Sequence, residues 1–366
     1  MTGNPAPLRS RFARMAEAVT TPLVPADFFD LFAPLRSGAD LRGRIEEIRA
    51  ETPDAATIVI RPGADWAGHV PGQYLRIGID VDGVREWRAY SLTHGPRADG
   101  RISITVKAVP DGKVSNHLVH EAVPGTLVHL EQATGDFVLK SDHDRLLFVT
   151  AGSGITPVIG MLRNLFPSTD TGVLHLDRSK DLDIVVLHVA PSEPDSIFIR
   201  DLQALAAAGA ITLIDRYDDM HGVLDVGQLA ELVPDLAERR TLACGPAGLL
   251  DALGAHHDAA GLELVTEQFR TARIAPGDGG TVAFANGTTL ELDGATPILD
   301  AAEAAGVLMP SGCRMGICMG CVLPLTQGSV RDLRNGQVTT AIPGESGAIK
   351  VQTCISAAAG PCHLDH

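Results

Sequence analysis

The stretch Cys313-Arg314-Met315-Gly316-Ile317-Cys318-Met319-Gly320-Cys321 sets three cysteines at C-x4-C-x2-C spacing, and Cys354 follows after 32 intervening residues. Three thiolates on one loop can wrap two irons while a fourth, from a distant segment, closes the cage, which is the plant-type arrangement of a 2Fe–2S centre. Gly312, Gly316 and Gly320 suit a loop that curls tightly and aims N–H groups at sulfur, because positive φ costs glycine little. The competing readings are a structural zinc site or reduced core cysteines. Zinc sites usually pair two C-x2-C knuckles, and only one knuckle is present. Cys362, in Pro361-Cys362-His363, has no place in a four-ligand cage.

Working outward, residues 281–366 read as one domain and 271–280, ending in Pro276-Gly277-Asp278-Gly279-Gly280, as a linker. Asn286-Gly287 between two Val/Thr/Leu-rich arms predicts a hairpin. Thr296 as N-cap and Pro297 at the first helical position announce a helix that closes at Gly306. Residues 142–270 alternate strand and helix, beginning with Leu146-Leu147-Phe148-Val149-Thr150, which implies a parallel α/β domain. Residues 41–141 carry short β segments such as Thr57-Ile58-Val59-Ile60 between Gly, Pro and Asp turns, which implies an antiparallel barrel. Residues 1–40 read as a helical extension, basic at Arg9, Arg11 and Arg14 and then aromatic at Phe28, Phe29 and Phe32.

Composition narrows the function. The 366 residues carry 45 acidic and 30 basic side chains, a formal charge of −15, which opposes nonspecific nucleic-acid binding. No apolar run reaches the ~18 residues of a membrane helix, and the start lacks the apolar core of a secretory signal, so a cytoplasmic protein is expected. Six cysteines are too few for a disulfide scaffold in so long a chain.

Arg88-Ala89-Tyr90-Ser91-Leu92 follows Pro71-Gly72-Gln73-Tyr74 and precedes Gly112-Lys113-Val114-Ser115-Asn116. In this combination the chain resembles the ferredoxin–NADP reductase superfamily, joined to a C-terminal plant-type ferredoxin domain of β-grasp fold. The resemblance implies FAD held by the 88–91 strand. Arg88 would fork onto the diphosphate, Tyr90 would lie along the ring system and Ser91 would bond near its reactive edge. Gly112, Lys113, Val114 and Ser115 would offer N–H groups to the diphosphate, favouring FAD over FMN, and Lys107 would line the adenylate side. Gly152, Ser153, Gly154, Thr156 and Pro157 match the family's nicotinamide-dinucleotide loop, and Cys244-Gly245-Pro246 its turn that sets a thiol beside the nicotinamide. Glu267 and Phe269 match the acidic-x-Phe ending of the nucleotide domain, with Glu267 close to the flavin. Cys244, Glu267 and Ser91 are thus the candidate catalytic residues. Arg216, after Ile211-Thr212-Leu213-Ile214, stands where NADP-using relatives place a cation, which favours NADPH; Asp215 beside it keeps NADH open.

A nicotinamide delivers two electrons as hydride and one cluster takes a single electron, so a flavin converter is required. No general base is demanded, and His117, His120, His256 and His257 read as surface or core residues. The domain order resembles oxygenase and desaturase reductases, and the extension most resembles actinobacterial electron-transfer partners of stearoyl-CoA desaturase. That resemblance implies a membrane di-iron desaturase as acceptor, with residues 1–40 docking there, at the inner face of the membrane. A reductase for a soluble ring-hydroxylating or CoA-ester oxygenase, and a redox-sensing module without turnover, are the alternatives.

Overall fold

The computed structural model describes residues 32–81, 84–110, 112–140, 143–167, 182–269, 277–312, 314, 316, 319–334, 336–343 and 349–366. Most of the expected 1–40 extension, with its three arginines, and the cluster cysteines Cys313 and Cys318 lie outside the described residues.

The first sheet contains β1 (Arg42–Thr52), β2 (Ala55–Pro62), β3 (Tyr74–Val81), β4 (Val84–Ser91), β5 (Ile102–Lys107) and β6 (Leu127–Leu130). They run antiparallel in the order β4-β3-β6-β1-β2-β5. A bridge between Leu92 and Ile104, with the Thr93 N–H donating to the Ser103 carbonyl at 2.9 Å, joins the two ends and closes the barrel. Alternating residues fill its interior, among them Ile45, Ile58, Ile60, Leu75, Ile77 and Ile104, all fully buried. The segment after Gly112 gives one α turn, α1 (Lys113–Asn116), and then a wider π turn over His117–Glu121.

The second sheet is parallel throughout. Its strands are β7 (Arg145–Ala151), β8 (Asp183–Ala190), β9 (Thr212–Tyr217), β10 (Arg240–Cys244) and β11 (Leu264–Glu267), in the order β11-β10-β7-β8-β9. Both faces are covered, so its strands read as near-continuous apolar runs. One face carries Leu146, Phe148, Val186 and Leu242 under α2 (Ile155–Leu165) and α3 (Ile199–Ala207), and the other carries Leu147, Val149, Leu187 and Ala243 with Leu250 and Leu253 of α4 (Ala247–Ala260). The chain proceeds from β7 outward to β9 and then returns to β10 on the other side of β7. A topological switch point therefore lies between the C-terminal ends of β7 and β10, where open α/β sheets bind ligands.

The barrel and this sheet share packing. A methyl on Gly160 of α2 would lie 2.3 Å from the Leu92 carbonyl oxygen, and one on Gly72, at φ 99°, would lie 2.5 Å from the Met161 Cε of α2. Arg163 donates to the Thr93 carbonyl at 3.0 Å and to Asp201 at 2.6 Å, which ties α2 to both bodies.

The third sheet is mixed: β13 (Thr289–Leu292), β12 (Gly280–Phe284), β17 (Ser356–Leu364), β14 (Val322–Asp332) and β15 (Val338–Ala341), with β16 (Ile349–Gln352) paired to β14. β12 and β17 run parallel at its centre, and α5 (Ile298–Ala304) packs over them through Ile298 and Ala302. The hairpin forms at Asn286-Gly287, with Gly287 at φ 88°. The helix begins one residue later than expected. Pro297 occupies the N-cap, and Thr296 is drawn back instead, its N–H and hydroxyl both donating to Asp293. Gly306, at φ 79°, closes the end as expected.

Candidate functional site

The switch point gathers the nucleotide-loop residues. Gly152 adopts φ 54°, and Gly154 lies so close to the β10 turn that a Cβ would sit 2.0 Å from the Cys244 carbonyl oxygen. The two glycines thus serve different ends, one turning the chain and one admitting a backbone neighbour. Thr156 donates to the Ser153 carbonyl at 2.9 Å, and Pro157 takes the third position of α2, before any intrahelical N–H is needed. Opposite, Pro246 caps α4 and Gly245 packs on Ala151.

Strand register then builds a row that single motifs did not reveal. Glu267 pairs with Cys244, Cys244 with Thr150, Thr150 with His188 and His188 with Asp215, so five polar side chains cross the sheet on one face. Thr150 and His188 are bonded at 2.8 Å, and burial holds the His188 imidazole down to about 4. Cys244 is fully buried; desolvation first and the Glu267 charge second push its thiol well above the usual range. Desolvation raises Glu267 to about 8, and its Oε2 is buried without a hydrogen-bond partner among the described residues. Phe269 packs partly buried against the same core.

On the barrel, β3 and β4 align Tyr74 with Ser91, Arg76 with Ala89 and Ile77 with Arg88. Side chains alternate along a strand, so Glu86, Arg88 and Tyr90 share one face. Arg88 donates to Glu86 at 3.2 Å and to the Trp87 carbonyl at 2.8 Å. Desolvation pushes the Tyr90 hydroxyl far above its ordinary range. Ser91 is buried and its Oγ bonds to nothing among the described residues. Ser91 Oγ on the barrel and Glu267 Oε2 on the parallel sheet are thus buried polar atoms that a bound polar group would satisfy.

Ser115 is more engaged than expected: its Oγ donates to the Gly112 carbonyl at 3.2 Å and accepts from the Val109 N–H at 3.3 Å. Val114 is buried beneath it and Lys113 opens α1. Lys107 is held by Asp54 at 2.8 Å. Arg216 donates to the His221 carbonyl at 3.3 Å while its Nε has no partner among the described residues, and Asp215 accepts from the Tyr217 hydroxyl at 3.1 Å.

In the third domain, Cys321 and Cys354 are buried, unbridged, and bring their Sγ atoms to 3.1 Å. The hydrogen bond with Cys354 is the main cause that lowers the Cys321 thiol below its ordinary range. Thr353 fastens the pair by donating its N–H and hydroxyl to the Cys321 carbonyl. Gly316 takes positive φ as expected, but the other left-handed positions of the loop among the described residues are Arg314 and Met319, which carry side chains, rather than Gly312 or Gly320. Cys362 is a core residue of the third sheet, and burial raises its thiol to about 11. His257 is likewise buried, bonded to the Leu253 carbonyl.

A barrel, a parallel nucleotide sheet and a ferredoxin sheet so equipped define an NAD(P)H oxidoreductase of the ferredoxin reductase type, using FAD and a 2Fe–2S cluster, and the chain belongs to that family. Residues 45–139 match the oxidoreductase FAD-binding domain, and residues 283–359 the 2Fe-2S iron-sulfur cluster binding domain. The chain is 46% identical, over 96% of its own length and 91% of the relative's, to an NADPH oxidoreductase of Mycobacterium tuberculosis. It is 27% identical to the glycine betaine monooxygenase reductase subunit of Pseudomonas aeruginosa, over 81% of this chain and 87% of that one. Phthalate dioxygenase reductase, described as a modular structure for electron transfer from pyridine nucleotides to [2Fe-2S], superposes with a TM-score of 0.60 at 20% identity, covering 89% of this chain and 98% of that one. It shares the fold.

Proposed function

We propose that the chain carries electrons from NADPH through FAD to the cluster and on to a membrane di-iron stearoyl-CoA Δ9 desaturase, with domain limits at 41–141, 142–270 and 281–366. The observation that carries the electron route is the pair of orphaned groups, Ser91 Oγ on the barrel and Glu267 Oε2 beside Cys244 on the sheet. When bound, the flavin accepts a hydride and gives up its electrons singly, and the cluster takes one at a time.

The chain's residues do the rest. Gly152 leaves open space for a dinucleotide at the switch point while Gly154 lets the loop close on the Cys244 turn, and Arg88 supplies a planar fork for a diphosphate. Cys244, kept as a neutral thiol chiefly by burial, offers a soft, uncharged wall to a nicotinamide ring. Glu267, raised to about 8, holds a proton at neutral pH and can donate a hydrogen bond that an ordinary carboxylate could not. Cys313, Cys318, Cys321 and Cys354 would hold the cluster. The Arg216 Nε, without a partner among the described residues, would meet the 2′-phosphate.

The 46% match favours NADPH as the donor, since that relative is named an NADPH oxidoreductase, and the desaturase rests on the resemblance carried by residues 1–40. Among the described residues no helix is long and apolar enough to cross a membrane, so contact with a membrane-bound acceptor would fall to the 1–40 extension, at its cytoplasmic face. The reductase subunits at 27% identity favour a second reading, in which the acceptor is a soluble oxygenase. Reconstitution decides: purified reductase, NADPH and a membrane fraction holding the desaturase should form oleoyl-CoA, and absence of product would remove the desaturase.

A further inference from the structure

Arg314 stands in the cluster loop beside Cys313, at φ 58°. Left-handed backbone is uncommon for a long side chain and persists where surrounding contacts over-determine it. Here three carboxylates surround one guanidinium. Asp300 accepts from Nη1 at 2.9 Å and Glu303 from Nη2 at 2.6 Å, both from α5 of the same domain. The third is Glu86 of β4, 228 residues away in sequence, whose Oε2 lies 3.4 Å from Nη2. That oxygen also accepts from Arg88, so one carboxylate is shared between the flavin strand and the cluster loop.

We propose that Glu86 and Arg314 form the latch that seats the third domain against the flavin face of the barrel, which makes Glu86 a positioning residue for the passage of single electrons from flavin to cluster. The proposal rests on the electron route given above. Each passage oxidises the flavin by one electron and reduces the cluster by one, and no proton or bond crosses the latch. The contact falls on the face of β4 that carries Arg88 and Tyr90, so the latch draws the cluster loop toward the residues expected to hold the flavin. Both partners are largely enclosed, with side chains 11% and 18% exposed, so salt screens them less than a surface pair. The shared oxygen has a further use. A diphosphate that engages Arg88 leaves Glu86 still paired, through Arg314.

The test uses the full holoprotein as wild type, Glu86→Gln, Arg314→Gln and the double variant. Anaerobic stopped-flow with NADPH separates flavin bleaching from the cluster's later absorbance loss, and small-angle X-ray scattering reports how closely the domains sit. Each single variant should keep the wild-type rate of flavin bleaching, pass electrons to the cluster roughly tenfold more slowly and show a larger radius of gyration. The double variant should be no slower than the slower single variant, because the two residues act as one unit. Should Arg314→Gln lose its cluster, Glu86→Gln decides, being remote in sequence from the cysteines. Wild-type transfer and scattering in Glu86→Gln, or effects that multiply in the double variant, would overturn the latch. So would loss of FAD from Glu86→Gln with unchanged scattering, since Glu86 would then serve Arg88 alone. If wild type itself fails to reduce its cluster, the electron route falls, and scattering alone still decides the latch.

Discussion

Gly160 lies in the middle of α2, where helix propensity alone would favour alanine by ~1 kcal/mol. Its surroundings reverse that sign. A methyl would sit 2.3 Å from the carbonyl oxygen of Leu92, the residue after Ser91, and a backbone oxygen cannot swing aside as a side-chain tip can. Opening that contact even to 3.0 Å, below which real Cβ atoms essentially never fall, moves α2 at least 0.7 Å off the barrel. Overpacking costs ~1–3 kcal/mol, which after the helix gain leaves a net loss of about 0–2 kcal/mol. At ~2–4 °C per kcal/mol, Tm should fall by no more than about 8 °C. The larger effect is geometric. α2 starts at the Gly152–Gly154 loop, and a ~1 Å misplacement of reacting groups can cost about 10²-fold in rate. Gly160→Ala should therefore retain FAD, unfold a few degrees early and reduce its flavin with NADPH roughly 10- to 100-fold more slowly in anaerobic stopped-flow. Gly254→Ala is the control: in α4 its methyl meets nothing within 4 Å, so it should gain ~1 kcal/mol and leave the rate alone. If Gly160→Ala matched Gly254→Ala in both Tm and rate, the packing of α2 on the barrel would be wrong.

Other perturbations probe the remaining parts. The Glu267 carboxyl keeps its proton up to about 8 when folded but ionises from about 4.5 when unfolded, so the folded state binds more protons between those values and this group's stabilisation is lost as pH rises through them. Glu267→Gln should flatten that decline in Tm between pH 5 and 8, and an unchanged slope would show the carboxyl to be solvated. Cys354→Ser should abolish the cluster's visible absorption and reduction of cytochrome c while flavin bleaching by NADPH continues; if bleaching also stops, the serial order is wrong. Arg216→Ala should raise the KM for NADPH far more than that for NADH, and equal losses would take Arg216 out of the 2′-phosphate site. Cys362→Ala should keep the full cluster spectrum and lose only core stability, seen as a lower Tm.

What could be read in the sequence was what local chemistry encodes. The Gly-rich turn at 152–154 that opens α2 and the Asn286-Gly287 hairpin each impose a backbone shape by their own constitution and take the expected form, whereas two cysteines of the C-x4-C-x2-C stretch lie outside the described residues. The row from Glu267 to Asp215 was not legible, because it exists only through register between five strands spread over more than 100 residues. Thr150 lies one residue from the end of β7 and His188 two residues from the end of β8, an alignment visible only once the sheet is assembled. Gly72 and Gly160 escaped for a similar reason, since their neighbours belong to other elements. The misplacement of the α5 cap arose because Asp293, three residues before Thr296, captured the hydroxyl that would have capped the helix. Positive φ at Arg314 contradicts a rule of thumb about glycine loops and marks a place where contacts outweigh local preference.

The position of β17 at the centre of the third sheet has a consequence for biosynthesis. It is the strand that β12 and β14 both pair with, so the sheet cannot close until residues 356–364 have left the ribosome. The barrel and the parallel sheet are complete by residue 267 and can fold while translation continues. Cys354 lies two residues before β17, so it comes to rest beside Cys321 in the same stage that places that strand. A chain stalled before β17 would hold a finished barrel and parallel sheet beside a third sheet still missing its central strand.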